Sequence, residues 1–252
     1  MSTPGPGGPS ASDPADPRLT HPGERHDAGH AGKLNWLRAG VLGANDGILS
    51  QAGLLVGVAS ATANTSAILT AAVAGLTAGA ASMAAGEYVS VSSQRDAERE
   101  LIAKEARELA EDPDIELAEL TAIYRRKGLS EQTAAQVAVE LTENDALSAH
   151  LDAELHIDPD ELTSPVAAAV ASAISFVVGS AIPTLAIILS STSWHIAAVV
   201  IAVLVALVTT GYLSARLTDA PRGRAIARLV LFGIVTMGIT YLIGRVFDTT
   251  VG

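Results

Sequence analysis

The chain has 252 residues, 49% of them hydrophobic and 17% charged. Its charges fall in blocks separated by apolar stretches of about 20 residues, the length that crosses a bilayer, which excludes an ordinary soluble domain. Of the net charge of −11, residues 92–163 hold 19 Asp/Glu against 7 Lys/Arg; so acidic a segment suits cations and excludes nucleic acid as a partner, and the absence of cysteine excludes disulfides and thiolate metal sites.

Residues 1–33 are rich in Pro, Gly, Ser, Asp and His, with almost nothing to bury. They read as a disordered tail, and His21, His26 and His30 as ordinary residues of it. No basic segment followed by an apolar core opens the chain, so no cleaved signal is expected. Five apolar segments follow, at roughly Trp36–Ser60, Ser66–Val91, Pro165–Leu189, Trp194–Leu217 and Ile226–Phe247. None could be a strand at that length. Trp36 and Trp194, at segment starts, read as interfacial anchors, and Pro183 as a kink within the third segment. Small residues four apart, Gly43/Gly47, Gly53/Gly57 and Gly75/Gly79, let helices approach closely.

Between the second and third segments lies the acidic insert. Ser92–Glu111 has neither Gly nor Pro, so the second span is expected to run on as one long helix. Asp112-Pro113-Asp114 breaks it. Ile115–Lys127 forms a second helix ended by Gly128, and Ser130 caps a third that reaches about Leu155 in one or two pieces. The positive-inside rule orients the whole. Fifteen of the 16 Lys/Arg fall in the N-terminal region, the insert or the connection after the fourth segment, and only Arg245 on the other side. The expected architecture is all-α: a tail (1–33), transmembrane helices one and two (34–91), a cytoplasmic helical domain (92–163) and transmembrane helices three to five (164–252), with the N-terminus cytoplasmic and the C-terminus outside.

Two sets of residues could carry chemistry. Asp46 lies about ten residues into the first segment, roughly 15 Å along a helix, and a carboxylate inside a bilayer is costly and a functional candidate by default. Met83 and Glu87 share one face of the second span. Two carboxylates and a thioether make a mixed hard/soft site that fits Fe²⁺ better than Ca²⁺ or Mg²⁺. The plainer alternatives are packing for Met83, an interfacial position for Glu87 and a hydrogen bond to nearby backbone for Asp46. The second set is Glu105/Glu108 and Glu116/Glu119, two i, i+3 pairs on helices folded into a hairpin, with His150 and Glu154 able to add ligands from the third helix. Facing each other, the pairs make a cage for Fe²⁺ or Mn²⁺. The plainer alternative is a solvated face with ion pairs such as Glu100–Lys104 and Arg107–Glu111. No phosphate loop, nucleotide motif or Ser/His/Asp arrangement is present, so neither an enzyme nor an ATP-driven pump is expected, and no prosthetic group.

Trp36-Leu-Arg-Ala-Gly-Val-Leu-Gly-Ala-Asn-Asp-Gly-Ile48, Ser82-Met-Ala-Ala-Gly-Glu-Tyr-Val-Ser-Val-Ser-Ser-Gln-Arg-Asp96 and the two Glu-x-x-Glu pairs resemble the vacuolar iron transporter family, most closely its bacterial and nodulin-like branch. The resemblance implies five membrane helices, a cytoplasmic metal-binding domain, a homodimer with the path at the subunit interface, and export of Fe²⁺ or Mn²⁺ from the cytoplasm against protons. For this chain it implies a bacterial-type cell membrane, Asp46 and Met83 as intramembrane metal residues, and Glu105, Glu108, Glu116, Glu119 and Glu154 as cytoplasmic ligands. The chain departs from the vacuolar branch at Gly75, where that branch has a glutamate, at Glu87, where it tends to glycine, and at His150 and Leu151, where it has paired methionines. The expected function is proton-coupled transport by a secondary carrier. The alternatives are a membrane-anchored di-iron ferroxidase, which characteristically uses a Glu-x-x-His motif that the insert lacks, and a metal sensor that transports nothing.

Overall fold

A computed structural model describes residues 30–158, 163–217 and 221–251. Most of the expected tail, with His21 and His26, and the side chains of His30 and Trp36 lie outside what it describes. The long elements are α1 (His30–Ala61), α2 (Thr65–Glu111), α3 (Pro113–Arg126), α4 (Glu131–His150), α5 (Pro165–Leu189), α6 (His195–Leu217) and α7 (Arg222–Val251). A π-helical turn at Leu151–Leu155 follows α4, and a 3-10 turn at Thr192–Trp194 precedes α6. No strand occurs among the described residues.

Local chemistry sets the boundaries. Asn64 caps α2, its Oδ1 accepting from the Ala67 N–H at 3.2 Å. From there α2 runs for 47 residues, about 70 Å at 1.5 Å per residue. That is more than twice the thickness of a hydrocarbon core, so α2 joins the apolar bundle to the acidic insert as one rod, as expected. Pro113 takes the first turn of α3, where its missing N–H costs nothing, and Gly128 follows that helix at φ +103. Ser130 caps α4 by accepting from Thr133 N–H at 3.2 Å. Within α4, Asp145 leaves helical geometry (φ −161, ψ 94), and its carboxylate caps the next piece by accepting from Ser148 N–H at 3.0 Å. The third insert helix is therefore two pieces followed by the π turn. His156 closes that turn in the left-handed region (φ 54).

In the apolar bundle α1 is central and packs against α2, α5, α6 and α7. Ile48, Ala52, Leu55 and Val56 of α1 meet Ile187 of α5 and Val203 and Leu207 of α6 in the main core. The glycine pairs of α1 each face a partner: Gly43 and Gly47 lie against α5, Gly53 and Gly57 against Thr236 and Thr240 of α7. At the tightest crossing, a Cβ on Gly47 would strike the Phe176 carbonyl and one on Gly179 the Ala44 carbonyl. Pro183 is buried inside an unbroken α5, and Trp194 is exposed at the foot of α6.

Among the described residues, four helices, α2, α5, α6 and α7, are long and apolar enough to cross a membrane. The fifth expected span, α1, carries Asn45, Asp46, Ser50 and Gln51 along its length. A second, smaller core of Leu120, Ile123, Ala138 and Ala153 holds the insert together.

Candidate metal sites

In the insert, α2, α3 and the end of α4 bring acidic side chains around one imidazole. Glu105, Glu116 and His150 are all buried, His150 completely. His150 Nδ1 stands 2.9 Å from Glu105 Oε1, 3.6 Å from Glu116 Oε2 and 3.9 Å from Glu154 Oε2. Glu105, His150 and Glu154 each present a ligand atom within 4.8 Å of the others. The closest pair is instructive: Glu105 Oε1 and His150 Nδ1 are both sealed from water, yet neither makes a hydrogen bond. Two ligands at right angles on a first-row cation, each bonded at about 2.1 Å, stand about 3 Å apart. The spacing of this pair therefore also suits a metal ion shared between the two groups.

The electrostatics agree. Burial, followed by the charges of Glu154, Glu116, Glu108 and Glu119, pushes the Glu105 carboxyl up to about 7. Glu116 is raised too, by burial and then by Glu119, with His150 pulling the other way. Such a cluster is unfavourable while empty and is relieved by a cation.

Of the six residues expected here, Glu105, Glu116, His150 and Glu154 come together, and the charges of Glu108 and Glu119 reach Glu105 from further off. Glu108 lends an oxygen to Lys104 Nζ at 2.8 Å, and neither Glu108 nor Glu119 pairs with His150, so both lie outside the tight group. The expected ion pairs Glu100–Lys104 and Arg107–Glu111 are replaced by Lys104–Glu108 and by Arg107–Glu100 at 3.4 Å. Exposed long side chains choose among several partners of similar energy, so helical spacing alone does not select them.

In the bundle, Asp46, Ser50, Gln51 and Leu54 of α1 face Gly75, Gly79, Ser82 and Met83 of α2 across a groove of about 230 Å³, with Phe176 of α5 at its edge. Asp46 and Met83 thus share one cavity. Gly75 and Gly79 let Leu54 and Phe176 pack directly against α2, since a Cβ at either would run into those side chains. Asp46 is exposed within the protomer. Glu87 lies one turn beyond Met83, outside the lining of the groove. Gln51 does line it and was not among the expected site residues. The one available signal was an amide five residues past Asp46 in an otherwise apolar run.

Residues 37–245 match the VIT family. The chain belongs to that family. A vacuolar iron transporter of Acanthamoeba castellanii is 38% identical over 228 residues, which is 90% of this chain and 84% of that protein. Vacuolar iron transporter homolog 5 of Oryza sativa subsp. japonica is 38% identical over 87% of this chain and 84% of its own length. Homolog 2 of Arabidopsis thaliana is 37% identical over 84% and 86%. Membership spans the bundle and the insert alike. With the apolar helices it makes this VIT-family chain a multi-pass membrane protein.

Proposed function

We propose that this VIT-family chain is a secondary carrier that moves a divalent transition-metal ion, Fe²⁺ or Mn²⁺, out of the cytoplasm in exchange for protons. The observation that carries the reading is the shared groove. A carboxylate and a thioether from two different helices, Asp46 of α1 and Met83 of α2, line one groove of about 230 Å³. Cytoplasmic metal is captured by Glu105, Glu116, His150 and Glu154, with Glu108 and Glu119 adding negative charge around them. It passes by Glu87 to Met83 and Asp46, and protons entering from outside displace it from the two carboxylates. α1 acts as the fifth span. The insert faces the cytoplasm of a bacterial-type cell and the C-terminus faces out.

The exposure of Asp46 supports a homodimer. A carboxylate open to the flank of a bundle at membrane depth would face lipid, which is prohibitive unless another polar surface covers it. A second copy placed against α1 and α2 would enclose the groove. The deciding experiment is metal uptake into proteoliposomes with an imposed pH gradient. Asp46→Ala is expected to abolish uptake of Fe²⁺ and Mn²⁺, and collapse of the gradient to reduce wild-type uptake strongly. Wild-type rates in Asp46→Ala would move the path elsewhere.

A further inference from the structure

Gln51 is 2% exposed and its amide is held on one side only. Nε2 donates to the Ala72 carbonyl of α2 at 2.7 Å and to Thr184 Oγ1 of α5 at 3.1 Å. The carbonyl of Ala72 can only accept, so the atom facing it must be the amide nitrogen, and this fixes which way the group points. Both N–H bonds are then occupied. The oxygen accepts no hydrogen bond from any described residue, and it points toward Gly75, where a Cβ would stand 2.9 Å away. It is a pre-oriented acceptor with free lone pairs, in the same groove as Asp46 and Met83. Five residues separate it from Asp46, about 7–8 Å along α1, on the side away from the cytoplasmic insert.

We propose that the Gln51 amide oxygen is a metal ligand of the path, a neutral station next beyond Asp46 and Met83 that favours oxygen-preferring divalent cations. The proposal rests on the transport reading above. A neutral oxygen holds a cation without a charge that would trap it, and conduction requires that each site release what it binds. The same amide also joins α1, α2 and α5, so a purely structural role must be told apart from ligation.

The test compares wild type, Gln51→Leu, Gln51→Met and Thr184→Val in proteoliposomes supplied with Mn²⁺ or Zn²⁺. Gln51→Leu is expected to raise the KM for Mn²⁺ about tenfold, the scale of a disturbed metal shell. Thr184→Val removes one clamp contact but keeps the oxygen, and should hold KM within about twofold. Gln51→Met replaces the oxygen with a thioether and should shift preference from Mn²⁺ toward Zn²⁺. An unchanged KM in Gln51→Leu, or a uniform loss of rate for both cations that Thr184→Val reproduces, overturns the proposal. Should wild-type vesicles carry no cation, the transport reading itself fails, and ligation is then read from Mn²⁺ titration of the purified protein by electron paramagnetic resonance. Loss of one class of bound ion in both Gln51→Leu and Asp46→Ala supports the ligand; its retention in Gln51→Leu removes it.

Discussion

Glu105, with Glu116 raised beside it, makes the stability of the insert depend on pH. Its carboxyl titrates at about 7 in the folded chain against an ordinary 4.5. Between those values the folded state holds a proton that the unfolded state has released, so this group's contribution to stability falls as pH rises through that window. Above it, Glu105 is charged beside Glu116 and Glu154, and a cation is needed to offset the repulsion. The metal-free protein should therefore melt at a lower temperature near about pH 8 than near about pH 5.5, and added Mn²⁺ should raise the melting temperature more at the higher pH. Glu105→Gln should flatten the pH slope and lose most of the Mn²⁺ effect in thermal unfolding of the purified protein. A wild-type slope in that variant would place the titrating group elsewhere. The acidic members of this cluster were legible from spacing, because i, i+3 carboxylates share a face whatever the tertiary fold. The ranking within it was not. Burial of Glu105 and Glu116 comes from α4 closing over the hairpin, and Glu108 is drawn aside by Lys104. Gln51 escaped notice for a related reason: an amide carries no charge, and its orientation depends on Ala72 and Thr184, which are distant in sequence.

Element boundaries were the most legible feature of the fold. Pro113, Gly128, Ser130 and the absence of helix breakers before Glu111 act locally, so the 47-residue rod of α2 and the turn into α3 follow from sequence alone. The kink at Asp145 and the π turn after His150 do not, since both depend on how the end of α4 seats against α3. The glycine pairs are an intermediate case. Four-residue spacing announced close packing, but only the structure assigns Gly43 and Gly47 to α5 and Gly53 and Gly57 to α7. At the α1–α5 crossing there is no room for a methyl group. Gly179→Ala would place its Cβ on the Ala44 backbone, and the two helices would have to part at a cost of about 1–3 kcal/mol, typical of overpacking. Gly86→Ala supplies the control, because a Cβ there meets nothing within 4 Å; it should be neutral or stabilise α2 by up to about 1 kcal/mol through helix propensity. Denaturant unfolding of the two variants in micelles measures the difference, and equal stabilities would mean that the α1–α5 crossing has room for a methyl group.

For the whole molecule, the deciding feature is the passage of α1. Hydropathy counts α2, α5, α6 and α7 as spanning, and those four alone already put the insert and the α6–α7 connection on one side and the C-terminus on the other. Adding α1 changes only the side of the N-terminus. Two physical arguments favour its crossing. Its residues Ile48, Leu55 and Val56 are buried in the main core against α5 and α6, so it runs inside the spanning bundle rather than beside it. Its passage also keeps Arg18, Arg25, Lys33 and Arg38 on the basic side; without it, the distribution of the 16 Lys/Arg falls from 15 against 1 to 11 against 5, a much weaker orientation signal. Because the chain contains no cysteine, single cysteines report topology without background. Ser10→Cys, Ser130→Cys and Gly223→Cys should react with a membrane-impermeant maleimide only from the cytoplasmic side, and Ala63→Cys and Ser191→Cys only from outside. Labelling of Ser10→Cys from outside, with the other four as expected, would leave four spans and place the N-terminal end of α1 outside. Asp46 would then enter the bundle from the far face, and the order of capture in the insert followed by transfer to the groove would have to be abandoned.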